Sequence, residues 1–238
     1  MTTESKRMTE AWRRLDAWFG NNAPAAAKAL HPGADDDLLN AYEQLTEQEL
    51  PEDVRQWFRI HNGQADPYRP NFSGLIFGLQ ILSLKESFEQ WKANQGPPLT
   101  EEIDYAKTFP PNAIRIGCRF PGWIPLTQDA GGNFLGVDLN PGPAGHRGQV
   151  INFGSDEIDK FVVASSWAEF IELVATEYER SKVEYEADSS GYWIGHHKDF
   201  PTEKNSSSYV HFHNALRRLH EAGKFNDRHV VFDGTMIV

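Results

Sequence analysis

The chain is short of cysteine, of long apolar runs and of basic charge, and each shortage excludes something. Cys118 is the only cysteine in 238 residues, so no disulfide closes within the chain, and a reducing, cytoplasmic compartment is the expected home. Nowhere do roughly 18 apolar residues run together, which speaks against a membrane span, and the polar start MTTESKR speaks against a standard secretion signal. Acidic side chains number 34 against 23 basic ones, a formal charge of −11, so the molecule as a whole is a poor ligand for nucleic acid. Catalytic signatures are missing too. There is no Gly-x-Ser-x-Gly elbow, no His-Glu-x-x-His and no Gly-x-x-x-x-Gly-Lys-[Ser/Thr], and Cys118 has no evident activating partner. A non-enzyme without a cofactor is expected.

What is present is enough for a folded domain: 39% hydrophobic and 12% aromatic residues argue against global disorder. The most informative stretch is 121–154, PGWIPLTQDAGGNFLGVDLNPGPAGHRGQVINFG, with eight of the nineteen glycines and four of the fourteen prolines. Trp123-Ile124-Pro125-Leu126 leads in, 133–139 alternates as a strand, 149–153 reads as another, and the glycines and prolines between them mark turns. This hairpin-like core needs helices around it. Met8, Trp12, Leu15 and Phe19 fall at helical spacing, and Asp35-Asp36-Asp37 before Leu38, Leu39, Tyr42 and Leu45 suits a helix N-terminus better than a metal site. Pro51-Glu52-Asp53 restarts a helix through Trp57 and Phe58, expected to close on Asn62-Gly63 as a left-handed cap. Ser83 to Glu86 opens another, and Ser166-Trp167-Ala168-Glu169 is a capping box ahead of Phe170, Ile171, Val174 and Tyr178. Short strands are expected within 72–84, at Ile114-Arg115-Ile116, at 161–164, at Tyr192-Trp193-Ile194 and at 229–232. The fold class is α+β, a central mixed or antiparallel sheet with helices packed around it.

Charge divides the chain. Residues 1–185 hold 27 acids and 17 bases, net −10, and 186–238 hold 7 and 6, net −1. The expected organisation is a domain over 1–185 and an extension over 186–238 packed on it. The acidity extends to Glu169, Glu172, Glu177 and Glu179 on the outer face of the last helix. Exposed acids Glu101, Glu102 and Asp104, with Asp129, Asn133 and Asp138 around the central turns, are the candidate contacts for a basic protein partner. Asp129, Asn133 and Asp138 miss the spacing of a calcium loop. Six of nine histidines follow residue 186. His211 and His213, two apart on an expected strand, would point the same way and are the weak metal candidates, but neither a His-Glu-x-x-His pattern nor a cysteine accompanies them, so no metal is expected. His61 reads as a structural hydrogen bonder.

An ordered series of short motifs resembles the SUKH superfamily, whose eukaryotic namesakes regulate yeast cell-wall synthesis. It comprises Trp12, His31-Pro32-Gly33-Ala34, Leu50-Pro51-Glu52, His61-Asn62-Gly63-Gln64, Ile81-Leu82-Ser83-Leu84, Trp123-Ile124-Pro125, Asp129 with Gly132-Asn133, Gly136-Val137-Asp138-Leu139, Pro141-Gly142-Pro143, Gly148-Gln149-Val150-Ile151 and Ser166-Trp167. The likeness runs over roughly 8–180 and implies an α+β domain with no catalytic constellation. Bacterial members look like immunity proteins that silence toxins, often nucleases, and fungal members act as interaction hubs in cell-wall signalling. The acidic surface would mimic nucleic acid towards a basic nuclease, and the hub role calls for long flexible arms where the ends here are short. An immunity protein is therefore expected, with the wall-regulatory hub and a small-ligand or metal-binding protein as alternatives.

Overall fold

The computed structural model of the chain describes residues 2–65, 74–95, 106–117, 120–129, 131–180, 183–188, 191–196 and 223. Glu101, Glu102, Asp104, His211, His213 and the strand expected at 229–232 lie outside the described residues.

The helices begin where their caps stand. α1 (Thr3–Asn22) starts on the Thr2 hydroxyl, which accepts the Ser5 N–H, and buries Met8, Trp12, Leu15 and Phe19. After the single turn α2 (Pro24–Ala27), α3 (Asp36–Thr46) starts on Asp35, whose carboxylate accepts the Leu38 N–H at 2.9 Å. The aspartate run is thus a helix start, with Asp36 and Asp37 at the positive end of the dipole. α4 (Glu52–Ile60) follows Pro51 and ends on His61, which is extended at φ −139°. The expected left-handed cap at Asn62-Gly63 is therefore not the end of the helix. Gly63 takes φ +88° for a different reason: a Cβ there would lie 2.5 Å from the Ser83 backbone nitrogen.

The sheet then assembles around 121–154 as expected. β1 (Gln80–Ile81), α5 (Leu84–Ala93), β2 (Thr108–Phe109), β3 (Trp123–Gln128), β4 (Asn133–Asp138), β5 (Gln149–Gly154), β6 (Lys160–Ala164) and α6 (Trp167–Glu179) succeed one another. A separate hairpin, β7 (Val183–Asp188) with β8 (Gly191–His196), includes the expected strand at Tyr192-Trp193-Ile194. The main sheet runs β1-β3-β4-β5-β6-β2, antiparallel except for the parallel pair of β2 with β6. It is mixed, and the fold is α+β.

Three local expectations change. Ile114-Arg115-Ile116 forms bends, because the neighbouring carbonyls of Asn112 and Ala113 accept from Ala144 and Gly142 instead of from a strand. Of the one or two short strands expected within 72–84, the described residues form two-residue β1 and isolated bridges, and Phe77 and Gly78 both turn through positive φ. At α6, Ser166 accepts the Glu169 N–H, but Glu169 accepts in return from Ser165 at 2.6 Å, one residue short of a reciprocal box. The reciprocal box exists instead at α5, between Ser83 and Glu86.

Alternation along the strands buries both faces. Ile124, Leu126, Leu135, Val137, Val150, Phe161 and Val163 join the helices in one core, whereas Trp123, Phe134, Ile151, Phe153 and Val162 form a second core with Ala113 and Ile114. Each fully buried aliphatic or aromatic side chain contributes about 1.5–3 kcal/mol of transfer free energy. No described helix is long and apolar enough to cross a membrane.

Candidate functional site

The central turns gather one polar corner. Asp129 Oδ1 accepts the backbone N–H groups of Gly131 at 2.7 Å and Asn133 at 2.9 Å, and its Oδ2 accepts from Asn133 Nδ2 at 2.9 Å. Asn133 also joins the next turn, donating to Asp156 Oδ2 at 3.2 Å and accepting the Asp156 N–H at 2.9 Å. The register places Asn133 opposite Gly154, so the β3–β4 and β5–β6 turns share one end of the sheet. Asp129 is half-buried, Asp156 exposed and Asn133 6% exposed. Asp156 was missed in the sequence. Its signal was the Gly154-Ser155-Asp156 turn, which antiparallel pairing brings to the same corner.

Asp138 is not part of that corner. It sits at the opposite end of β4, five residue steps or about 17 Å away, and it is 0% exposed. It accepts from Asn140 N–H at 3.0 Å and from Gln149 Nε2 at 3.2 Å, while Gln149 Nε2 also reaches the Ala113 carbonyl at 2.9 Å. Burial pushes the Asp138 carboxyl up to about 6, opposed by those bonds and by the charges of Arg115 and His146. Its atoms bind loops, so it presents no surface to a partner.

Among the described residues, several of the acids are engaged in ion pairs between helices. Glu172 pairs with Arg7 at 2.6 Å and Glu179 with Arg14 at 2.5 Å, and Glu177 is buried. The expected acidic outer face of α6 is thus the seam between α6 and α1. The Arg14 bond holds the Glu179 carboxyl below its ordinary range. Asp36 and Glu43 of α3 likewise meet Arg59 and Arg55 of α4 at 2.8 and 2.5 Å. Beside them an open cleft of about 540 Å³ is lined by Glu43, Leu50, Glu52, Arg55 and Arg147. Arg147 on its wall donates to the carbonyls of Glu49 and Leu139. Among the described residues no three of His, Cys, Asp and Glu gather as a metal site.

The motifs that carried the resemblance turn out to be clasps. His61 Nδ1 lies 3.1 Å from the His31 carbonyl and Nε2 3.2 Å from Asp16, with its ring edge-on to Trp12 at 4.7 Å. Asn62 Oδ1 accepts the Leu84 N–H at 2.8 Å, and Gln64 Oε1 accepts from Leu75 and Ile81, both at 3.0 Å. Asn152, another residue missed in the sequence, accepts the Phe161 N–H at 2.6 Å. The buried amides of Gln64 and Asn152, and the half-buried one of Asn62, fix loops by satisfying backbone groups that would otherwise lose water for nothing.

A mixed sheet clad by helices, with the buried amides of Gln64 and Asn152 clamping its backbone, defines an α+β domain. The particular family follows from comparison: the profile of the SMI1/KNR4 family (SUKH-1) matches residues 33–173, and the chain belongs to that family. Curated relatives agree. The cell wall biosynthesis/cell cycle regulator smi1 of Schizosaccharomyces pombe is 38% identical over 187 residues, 74% of this chain and 37% of that protein. The glucan synthesis regulatory protein of Neurospora crassa is 33% identical over 221 residues, 79% of this chain and 39% of that protein. The cell wall assembly regulator SMI1 of Saccharomyces cerevisiae is 32% identical over 218 residues, 78% of this chain and 43% of that protein. The chain spans about two fifths of the length of these relatives.

These relatives are named as regulators of wall or glucan synthesis and not as enzymes, which overturns the expectation of a toxin immunity protein. That expectation had two grounds. Acidic charge suits any basic partner, and short ends do not discriminate in a chain that spans two fifths of its relatives.

Proposed function

We propose that the chain is a non-enzymatic, cytoplasmic protein-binding domain that acts in the regulation of cell-wall synthesis by holding basic partner proteins. The observation that carries this reading is the alignment of about three quarters of the chain with proteins named as wall and glucan-synthesis regulators. The net −10 over residues 1–185 supports a basic partner, because it steers association without contributing to the core. The exposed Asp156 and half-buried Asp129 are part of the surface offered. The division into 1–185 and 186–238 belongs to the same reading, supported by a family match that stops at residue 173.

The test is capture on the immobilised full chain from lysate of the source cells, at low and at high salt, with mass spectrometry of what is retained. Several salt-sensitive basic partners from the wall-synthesis machinery are expected. An empty column at both salt concentrations would overturn the reading.

A further inference from the structure

We propose that the outward edge of α3 docks an amphipathic helix of a partner protein whose apolar stripe is flanked by lysine or arginine; this inference rests on the protein-binding reading above. α3 turns Leu39, Tyr42 and Thr46 inward. At i, i+3 and i+7 it leaves Leu38, Ala41 and Leu45 on a neighbouring face, with Leu38 46% and Leu45 61% exposed. A single exposed leucine is ordinary. Two of them, stacked two turns apart on a helix capped at its start, form a ridge that fits between the side chains of another helix. The other large exposed hydrophobics among the described residues, Ile116 and Ile158, stand apart in loops.

Charge says what covers the ridge. On the α4 side the acids are already paired, Asp36 with Arg59 and Glu43 with Arg55. Asp37, one residue before the ridge, and Glu47, two residues after it in the chain, have no ion pair among the described residues. Asp37 suits a helix start. Glu47 breaks two local rules: it ends α3 in the left-handed region at φ 54°, where glycine fits without strain, and it puts a carboxylate at the negative end of the helix. A basic residue of a bound helix gives that carboxylate a partner. A second copy of this chain is the wrong occupant, because it would set Asp37 and Glu47 against the same acids.

The probe is a labelled helical peptide of about 18 residues, with leucines at i, i+3 and i+7 and flanking lysines, long enough to cover the ridge. It is titrated into the full chain and followed by fluorescence anisotropy. Saturable binding is expected, about tenfold weaker for Leu38→Ser or Leu45→Ser and severalfold weaker at about 300 mM than at about 50 mM salt. Both leucines are exposed, so the variants are expected to melt as the parent does. Glu47→Gly is expected to melt higher and yet bind more weakly, a pairing that a purely structural role would not produce. The proposal is overturned by absence of saturable binding, by equal binding of a scrambled peptide of the same charge, or by unchanged affinity in Leu45→Ser. A dimer of the parent chain that Leu45→Ser dissolves would overturn it in favour of self-association. Lysate capture separates the two readings: partners held equally by the parent and by the Leu38→Ser, Leu45→Ser double variant overturn this surface alone, and no partner on either overturns both.

Discussion

Asp138 shows at the scale of one residue how burial and hydrogen bonding compete. Its oxygens face the donors of Asn140 and Gln149, which favour the carboxylate, yet complete burial favours the neutral acid and raises it from 3.8 to about 6. A raised carboxyl binds more protons in the folded than in the unfolded state, so its contribution to stability is largest below about pH 4 and is lost as pH rises to about 6. Asp138→Asn lacks this titration and carries a roughly constant penalty of about 1–2 kcal/mol, because its amide donor would face that of Gln149. The advantage of the parent over the variant is expected to shrink by about 2–3 kcal/mol between pH 4 and pH 7, measured by urea unfolding. A difference independent of pH would show that Asp138 does not titrate there. The sequence placed Asp138 on a strand near two turns. It did not reveal that Gln149 and Ala113 close over it, because those contacts come from the β4–β5 register and from a loop some thirty residues upstream.

At the scale of elements, α6 has two anchors, and only one was legible. Ser166 announced itself by spacing. The other anchor is Asp53 in the first turn of α4, whose Oδ2 accepts the Ala168 N–H at 2.9 Å across 115 positions, with its carboxyl pushed up by burial. Local capping rules operate over three or four residues and have no access to such a partner. Asp53→Ala leaves a buried N–H unpaired and is expected to cost about 1–3 kcal/mol, and Asp53→Asn, which keeps one acceptor, distinctly less. Chemical denaturation of the two variants checks the order, and equal losses would sink this assignment. The wrong expectation for α6 has the same origin. Glu172 and Glu179 follow the helix period of an outer face, but Arg7 and Arg14 of α1 pair with them.

At the scale of the whole molecule, the domain is larger than its family signature. The profile begins at residue 33, whereas α1, entirely before it, supplies Met8, Trp12, Leu15 and Phe19 to the main core and the arginines of the α6 seam. Trp12 packs on Trp57 at 5.0 Å, and Trp57 meets Trp167 edge-on at 5.2 Å, so three helices share one aromatic cluster. Removing residues 1–22 takes away five large core side chains, Trp18 with the four just named, each contributing about 1.5–3 kcal/mol, which together rival the net stability of a domain. Loss of a cooperative thermal transition is expected for residues 23–238. A sharp transition near that of the full chain would mean that α1 is dispensable.

What the sequence determined by itself was whatever depends on neighbours in the chain: the apolar face of α1, the starts of α3, α4, α5 and α6, the alternating strands of 121–154, the turns between them, and through the ordered motifs the family. Those motifs fix backbone geometry, as with Gly63 against Ser83 and Gln64 against Leu75 and Ile81, which is why they identify the fold and are silent on the partner. Only the tertiary structure decided which charges are free. Arginines brought in from α1 and α4 engage Asp36, Glu43, Glu172 and Glu179, Asp138 is buried, and Asp37, Glu47, Leu38 and Leu45 remain on an open edge of α3. The physical reason is range: capping and periodicity act within one helical turn, whereas compensation of charge and covering of apolar surface are settled between elements far apart in the chain.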